Sequence, residues 1–150
     1  EVGKELFKVA SCVACHKLGG EGQIFGPDLA KLDVKKHTTL HILQSMLDPA
    51  KEIDKKFLSH SFILDSGKVI TGMIVEETPD ALHVVIDPLA KGKPTVILRS
   101  SIEAQKESPV SLMPKGMLNK LSREEILDLI AYVLARGDKT DKQYEHEHKH

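Results

Sequence analysis

At 150 residues, 41 % of them apolar, the chain is long enough for one domain with a buried core. Its formal net charge of −1, with histidine neutral, offers no basic excess of the kind that binds nucleic acid or an anionic membrane surface. No run approaches the ~18 consecutive apolar residues of a membrane span, only two cysteines are present, and four Phe, two Tyr and no Trp leave the aromatic content low.

Val2 to Ala10 predicts a short helix, with Val2, Leu6 and Val9 on one face and Gly3 and Phe7 on the adjoining one. It delivers Cys12-Val13-Ala14-Cys15-His16 at its C-terminal end. Two cysteines three positions apart, with histidine directly after the second, have the spacing of a covalent c-type haem attachment site. Both thiols add to the vinyl groups on one edge of the porphyrin, and the next residue gives the iron an imidazole nitrogen. Half of a zinc site would need two further Cys or His ligands in a similar loop, and the chain has no other cysteine. A thioredoxin-like CxxC follows a strand, whereas the residues before Cys12 read as helix. The expectation is therefore one haem c, bound through Cys12 and Cys15 with His16 on the iron. Both cysteines lie in this motif, so no structural disulfide is available. Haem c is attached outside the bacterial cytoplasm, and no signal peptide is visible, which predicts a periplasmic protein whose leader is absent from this chain.

The loop Leu18 to Leu29 follows, rich in glycine and containing Gly26-Pro27. Its glycines permit positive φ and close backbone approach to a bulky group. Pro27 offers a carbonyl with no competing N–H, the kind of acceptor to which a metal-ligating histidine donates its other ring N–H; the plain alternative is that Gly26-Pro27 is only a turn. Thr39 to Leu47 predicts a second helix, ended by Asp48-Pro49, with Leu40, Leu43, Met46 and Leu47 on a face that covers one side of the haem.

The middle of the chain changes period. Phe57 to Leu64, Val69 to Val75, Leu82 to Asp87 and Thr95 to Leu98 are short and rich in β-branched residues. Ser66-Gly67, Thr78-Pro79-Asp80 and Lys91-Gly92-Lys93-Pro94 separate them, which predicts two hairpins or a four-stranded meander over about residues 55–102. His60 and His83 fall on these strands as half-exposed residues. A final helix opens with the capping box Ser122-Arg123-Glu124-Glu125, continues through Ile126, Leu127, Leu129, Ile130, Val133 and Leu134, and meets Gly137 where a C′ glycine is expected. Residues 138–150 are charged and without periodicity, which predicts a disordered tail carrying His146, His148 and His150.

Four methionines can reach the face of the iron opposite His16. Met46 lies in a helical stripe and Met73 in a strand, where core packing is the default. Met113 sits in the Pro-bounded loop Ser108 to Gly116, which can hold a thioether rigidly over the metal, with Met117 as runner-up. His/Met ligation through His16 and Met113 is a standard c-type arrangement; a bis-His iron would draw on His37 or His41.

Gly3, Phe7, Cys12 to His16, Gly26-Pro27-Asp28-Leu29, Met113-Pro114 and Leu129 to Tyr132 together resemble a class I cytochrome c. The resemblance implies that the first and last helices cross near Gly3, Phe7 and Tyr132, that Pro27 accepts from His16, and that Met113 is the distal ligand. With Leu47-Asp48-Pro49, Asp65-Ser66-Gly67, Thr71-Gly72 and Ser111 to Gly116, the longer pattern is similar to a haem-binding domain of planctomycete, verrucomicrobial and related marine bacterial proteins. The expected fold is mainly α: a cytochrome c domain over 1–137, with core 1–54 and 103–137, interrupted by a small antiparallel β insertion at about 55–102. The expected function is single-electron transfer rather than enzyme catalysis. Its partners would be a periplasmic dehydrogenase or other oxidoreductase and a downstream acceptor, with Lys17, Lys31, Lys35, Lys36 and Lys115 ringing the haem edge toward an acidic surface. The alternatives are a gas-binding or sensing module in which Met113 is labile or not ligated, a peroxidase-like open haem, and a β segment that docks an oxidoreductase.

Overall fold

Three helices and one five-stranded antiparallel sheet account for the regular structure in the computed structural model, which describes residues 1–90 and 93–144. The chain divides into two units. One comprises Glu1–Lys51 and the residues from Pro114 onward, the other Glu52–Met113.

In the first unit α1 (Val2–Val9) packs against α3 (Arg123–Leu134). Gly3 sets the crossing: a Cβ at that position would lie 2.6 Å from Tyr132 Cβ, closer than real side-chain atoms approach. Phe7 then meets Tyr132 edge-on, ring centroids 5.8 Å apart. The buried face of α1 is therefore Gly3, Leu6, Phe7 and Ala10, while Val2 and Val9 are 58 % and 72 % exposed. The stripe read from hydropathy lies to one side of this, because the glycine decides where the neighbouring helix can come close. From α3, Leu129, Ile130, Tyr132, Val133 and Leu134 are buried, each large aliphatic contributing about 1.5–3 kcal/mol relative to exposure.

The capping box of α3 is complete. Glu125 N–H donates to Ser122 Oγ at 3.2 Å, and Ser122 N–H donates to Glu125 Oε2 at 2.7 Å. Its C-terminal end is a Schellman turn, with Arg136 N–H on Val133 O and Gly137 N–H on Tyr132 O. Arg136 takes the C′ position at φ 53°, and Gly137, which the sequence places there, follows as C″ with a left-handed φ of 78° of its own. Gly137 stands one residue later, where a Cβ would lie 2.8 Å from Gly19 Cα. Helix α2 (Thr39–Leu47) starts at Thr38, whose Oγ1 accepts from His41 N–H, and buries Ile42 and Met46, leaving Leu40 and Leu47 exposed. Residues 138–144 form short turns, with Asp138 accepting from the Thr140 N–H and hydroxyl.

The second unit is the sheet: β1 (Ser59–Leu64), β2 (Val69–Glu77), β3 (Ala81–Val85), β4 (Thr95–Leu98) and β5 (Ile102–Ser108), in the order β4-β3-β2-β1-β5. Phe62, Ile70, Leu82, Val84 and Ile97 form its core, with Leu64, Ile74 and Ile102 packed against them. The mainly α expectation is overturned: the described structure is 30 % helical and 23 % strand, with a five-stranded sheet in place of a small four-stranded segment. The added strand β5 pairs with β1 through Phe62 opposite Gln105 and His60 opposite Glu107. Its Glu103-Ala104-Gln105-Lys106-Glu107 is polar and largely exposed, so it carries no alternation to read.

Replacing Gly3 with valine forces side-chain atoms into the α1–α3 contact. Urea unfolding followed at a helix-sensitive wavelength is expected to show a loss of about 1–3 kcal/mol, the usual cost of overpacking.

Candidate functional site

Helix α1 stops at Ser11, which takes a left-handed φ of 62° and redirects the chain. A single 3₁₀ turn, Cys12–Ala14, follows, with Ala14 N–H on Ser11 O and both Cys15 N–H and His16 N–H on Cys12 O, at 3.2 and 2.9 Å. Cys12 opens this turn, Cys15 caps it, and His16 follows directly. Cys12 and Cys15 are half-buried and form no disulfide. Burial pushes the Cys12 thiol up to about 11, so it is protonated at neutral pH.

His16 Nδ1 lies 2.8 Å from Pro27 O. A carbonyl only accepts, so Nδ1 carries the proton and Nε2 keeps its lone pair. Burial holds the imidazole below its ordinary value of 6.5, and the Pro27 carbonyl acts in the opposite direction by favouring the charged form. The result is a neutral imidazole with one nitrogen tethered and the other available, the state a metal ligand requires. Gly26 makes the tether possible: a Cβ there would lie 2.7 Å from His16 Cε1 and 3.0 Å from Nδ1.

The loop is laced back onto the motif. Gly26 N–H donates to Cys15 O at 2.8 Å and Leu29 N–H to Lys17 O at 3.1 Å, while Leu18 and Glu21 exchange backbone hydrogen bonds of 2.9 and 3.1 Å. Leu18 is fully buried. Glu21 closes the loop onto α1 through Lys4 Nζ at 3.1 Å and Lys8 Nζ at 3.2 Å. The hydrogen bond to Lys4, then that to Lys8, hold its carboxyl below the ordinary range. Sequence reasoning missed this clamp, although Lys4 and Lys8 at i and i+4 place two cations on one helix face.

Of the remaining residues singled out from sequence, Met46 and Met73 are buried. Met113 is half-buried at the end of the sheet unit, its N–H donating to Ser111 Oγ at 3.1 Å. Met117 is half-buried after Pro114. Lys17, Lys31, Lys35, Lys36 and Lys115 are exposed, and Lys115 Nζ lies 3.7 Å from Asp48 Oδ1. His60 and His83 are half-buried, with His83 Nδ1 3.9 Å from Glu76 Oε2. His146, His148 and His150, and the Lys91-Gly92 turn, lie outside the described residues.

Residues 1–60 match the family model for cytochrome c. The matched stretch contains Cys12, Cys15, His16, Gly26 and Pro27, and ends as β1 begins. It implies a covalently bound haem c, and the residues present fit one: two thiols on one turn, a neutral imidazole with a free Nε2, and a glycine that leaves the ring its space. No curated protein matches the chain.

Two outcomes follow from this geometry. Gly26→Ala must displace the His16 ring; its imidazole ¹H–¹⁵N resonances are expected to shift, and the yield of haem-loaded chain from cells that mature c-type cytochromes to fall. Glu21 is a carboxylate depressed by its partners, so its contribution to stability is present above 4.5 and lost as pH falls below that value. In Glu21→Gln, thermal unfolding scans across that range are expected to show a shallower acid-side decline than in the unsubstituted protein.

Proposed function

We propose that the chain carries single electrons through one haem c that Cys12 and Cys15 would hold covalently and that His16 Nε2 and the Met113 thioether would ligate. When bound, the haem supplies a one-electron Fe(III)/Fe(II) couple. The observation that carries this reading is the 2.8 Å contact between His16 Nδ1 and Pro27 O, which leaves Nε2 unprotonated. The match of residues 1–60 to the cytochrome c family model supports the same class of function.

Each residue then has a task. Cys12 and Cys15 fix the porphyrin edge to the turn that ends α1. His16 donates its lone pair; the Pro27 carbonyl holds the ring's orientation and raises its basicity. Met113 would be the second protein ligand, and with both ligands supplied by the chain the haem would exchange electrons without binding substrate, its potential set by ligand, burial and hydrogen bonding. The exposed Lys17, Lys31, Lys35, Lys36 and Lys115 steer the surface toward an acidic redox partner. A periplasmic setting, with a dehydrogenase or other oxidoreductase as donor and a further acceptor downstream, suits this chemistry. The Glu52–Met113 unit is then an insertion of the kind seen in the planctomycete and marine bacterial haem domains that the sequence resembles. Among the described residues no helix is long and apolar enough to cross a membrane.

Optical spectra of the haem-loaded protein, oxidised and dithionite-reduced, with and without CO, test the proposal. Sharp low-spin bands, a thioether–ferric charge-transfer band at the red end and indifference to CO are expected. Met113→Ala is expected to abolish the red-end band, admit CO and lower the midpoint potential. An unchanged Met113→Ala spectrum would move the ligand to another residue, Met117 first. A CO-shifted Soret band in the unsubstituted protein would replace electron transfer with gas binding or sensing at a labile sixth position.

A further inference from the structure

Two imidazoles outside the Cys12–His16 motif are brought into contact at the start of α2. His37 directly precedes Thr38, the N-cap of the helix, and His41 lies in its first turn, four residues on. The ring centroids are 4.9 Å apart with planes inclined at 68°. Both side chains are half-buried, so they lie on the surface without being loosely hung from it. His37 is anchored by the turn it ends: its backbone N–H donates to Asp33 O at 3.0 Å, and its ring Nδ1 lies 2.9 Å from the same carbonyl. As with His16 and Pro27, the carbonyl can only accept, which puts the proton on Nδ1 and leaves Nε2 as a lone-pair donor.

We propose that His37 and His41 form a binding site for a first-row divalent transition metal ion of the Zn²⁺, Ni²⁺ or Cu²⁺ type. Imidazole nitrogen is the ligand these ions favour. His37 lies before the helix and His41 within it, so the pair rests on the ring contact itself and not on helical spacing. With the His37 ring held at Asp33 O, sharing a metal at about 2.0–2.1 Å from each nitrogen requires the His41 ring beside it to turn about its own side-chain bonds. The backbone carbonyl behind His37 supplies the outer-shell acceptor that orients a metal-bound histidine. Among the described residues no group of three or more His, Cys, Asp or Glu side chains could hold a metal. The pair therefore provides two ligands, and water or a donor from another molecule completes the coordination. Such a site is open and exchangeable, and an ion bound there ties the Asp33–His37 turn to the first turn of α2. The inference does not depend on haem at Cys12–His16.

The test is a Zn²⁺ titration of the full haem-loaded chain, chosen because Zn²⁺ has no redox chemistry to mix with that of haem. Imidazole ¹H–¹⁵N correlations of all eight histidines are followed. His37 and His41 are expected to shift together and to saturate at one ion per chain. In His37→Ala the His41 response, and in His41→Ala the His37 response, is expected to need at least tenfold more Zn²⁺. A response confined to His146, His148 and His150 would overturn the proposal, as would the absence of any response. So would His37 and His41 shifts that persist unchanged when the other ring is removed. The unsubstituted protein alone distinguishes the first two of these outcomes, so a variant that perturbs α2 does not blunt the test.

Discussion

The His16–Pro27 hydrogen bond constrains chemistry and backbone at once. It fixes which ring nitrogen bears the proton, and it requires the chain to bring a carbonyl within 2.8 Å of a half-buried imidazole. Proline locks its own φ and restricts the residue before it to extended conformations, so Gly26-Pro27 presents that carbonyl from a short, stiff piece of chain. The close pass puts residue 26 against the ring, where only glycine fits. A tautomer, a proline and a glycine are thus one arrangement, and changing any of them changes the other two.

That arrangement needs a fixed support, which comes from the two ends of the sequence. The loop rests on Leu18, is tied to α1 by Glu21 between Lys4 and Lys8, and runs past Gly19, where a side chain would collide with the Tyr132 hydroxyl of α3. Gly137, just beyond α3, lies against Gly19 in turn. The crossing of α1 and α3 at Gly3 and Phe7 therefore holds the loop as well as the core. The burial of His16 within this loop lowers its affinity for a proton, so packing and ligand chemistry act in the same direction.

Local chemistry was legible in the sequence and pairing was not. Gly26-Pro27 and the Ser122 capping box each depend on residues close together in the chain, and the structure joins His16 to Pro27 and Ser122 to Glu125. Ser66-Gly67 and Thr78-Pro79-Asp80 likewise mark real hairpin turns. Strand β5 could not be read, because an edge strand with one polar face after another needs only a neighbour's backbone, and that neighbour, β1, lies some forty residues earlier. Hydropathy alone favours Val2 and Val9 on α1, and both are exposed; the crossing near Gly3, Phe7 and Tyr132 that the resemblance to class I cytochromes c implies is the one observed. At the end of α3 the sequence places a left-handed glycine at C′; Arg136 takes C′ and Gly137, left-handed at φ 78°, stands one residue later against Gly19, a contact that no local pattern shows. Glu21 was passed over because its two lysine partners belong to a different element.

The family match stops at residue 60, the second residue of β1, whereas the helix that packs on α1 begins at Arg123. A unit that leaves its own chain at Lys51 and resumes at Pro114 must close over the intervening stretch. The entropy of closing a flexible loop rises only as the logarithm of its length, about 0.6 kcal/mol for each doubling, so length itself is a small obstacle. A disordered stretch of that size would still expose apolar side chains and compete with α3 for the surface of α1. Phe62, Ile70, Leu82, Val84 and Ile97 remove that competition by packing with one another. The sheet's own core is therefore what allows α1 and α3, separated by most of the sequence, to find each other, and through them the loop that holds His16.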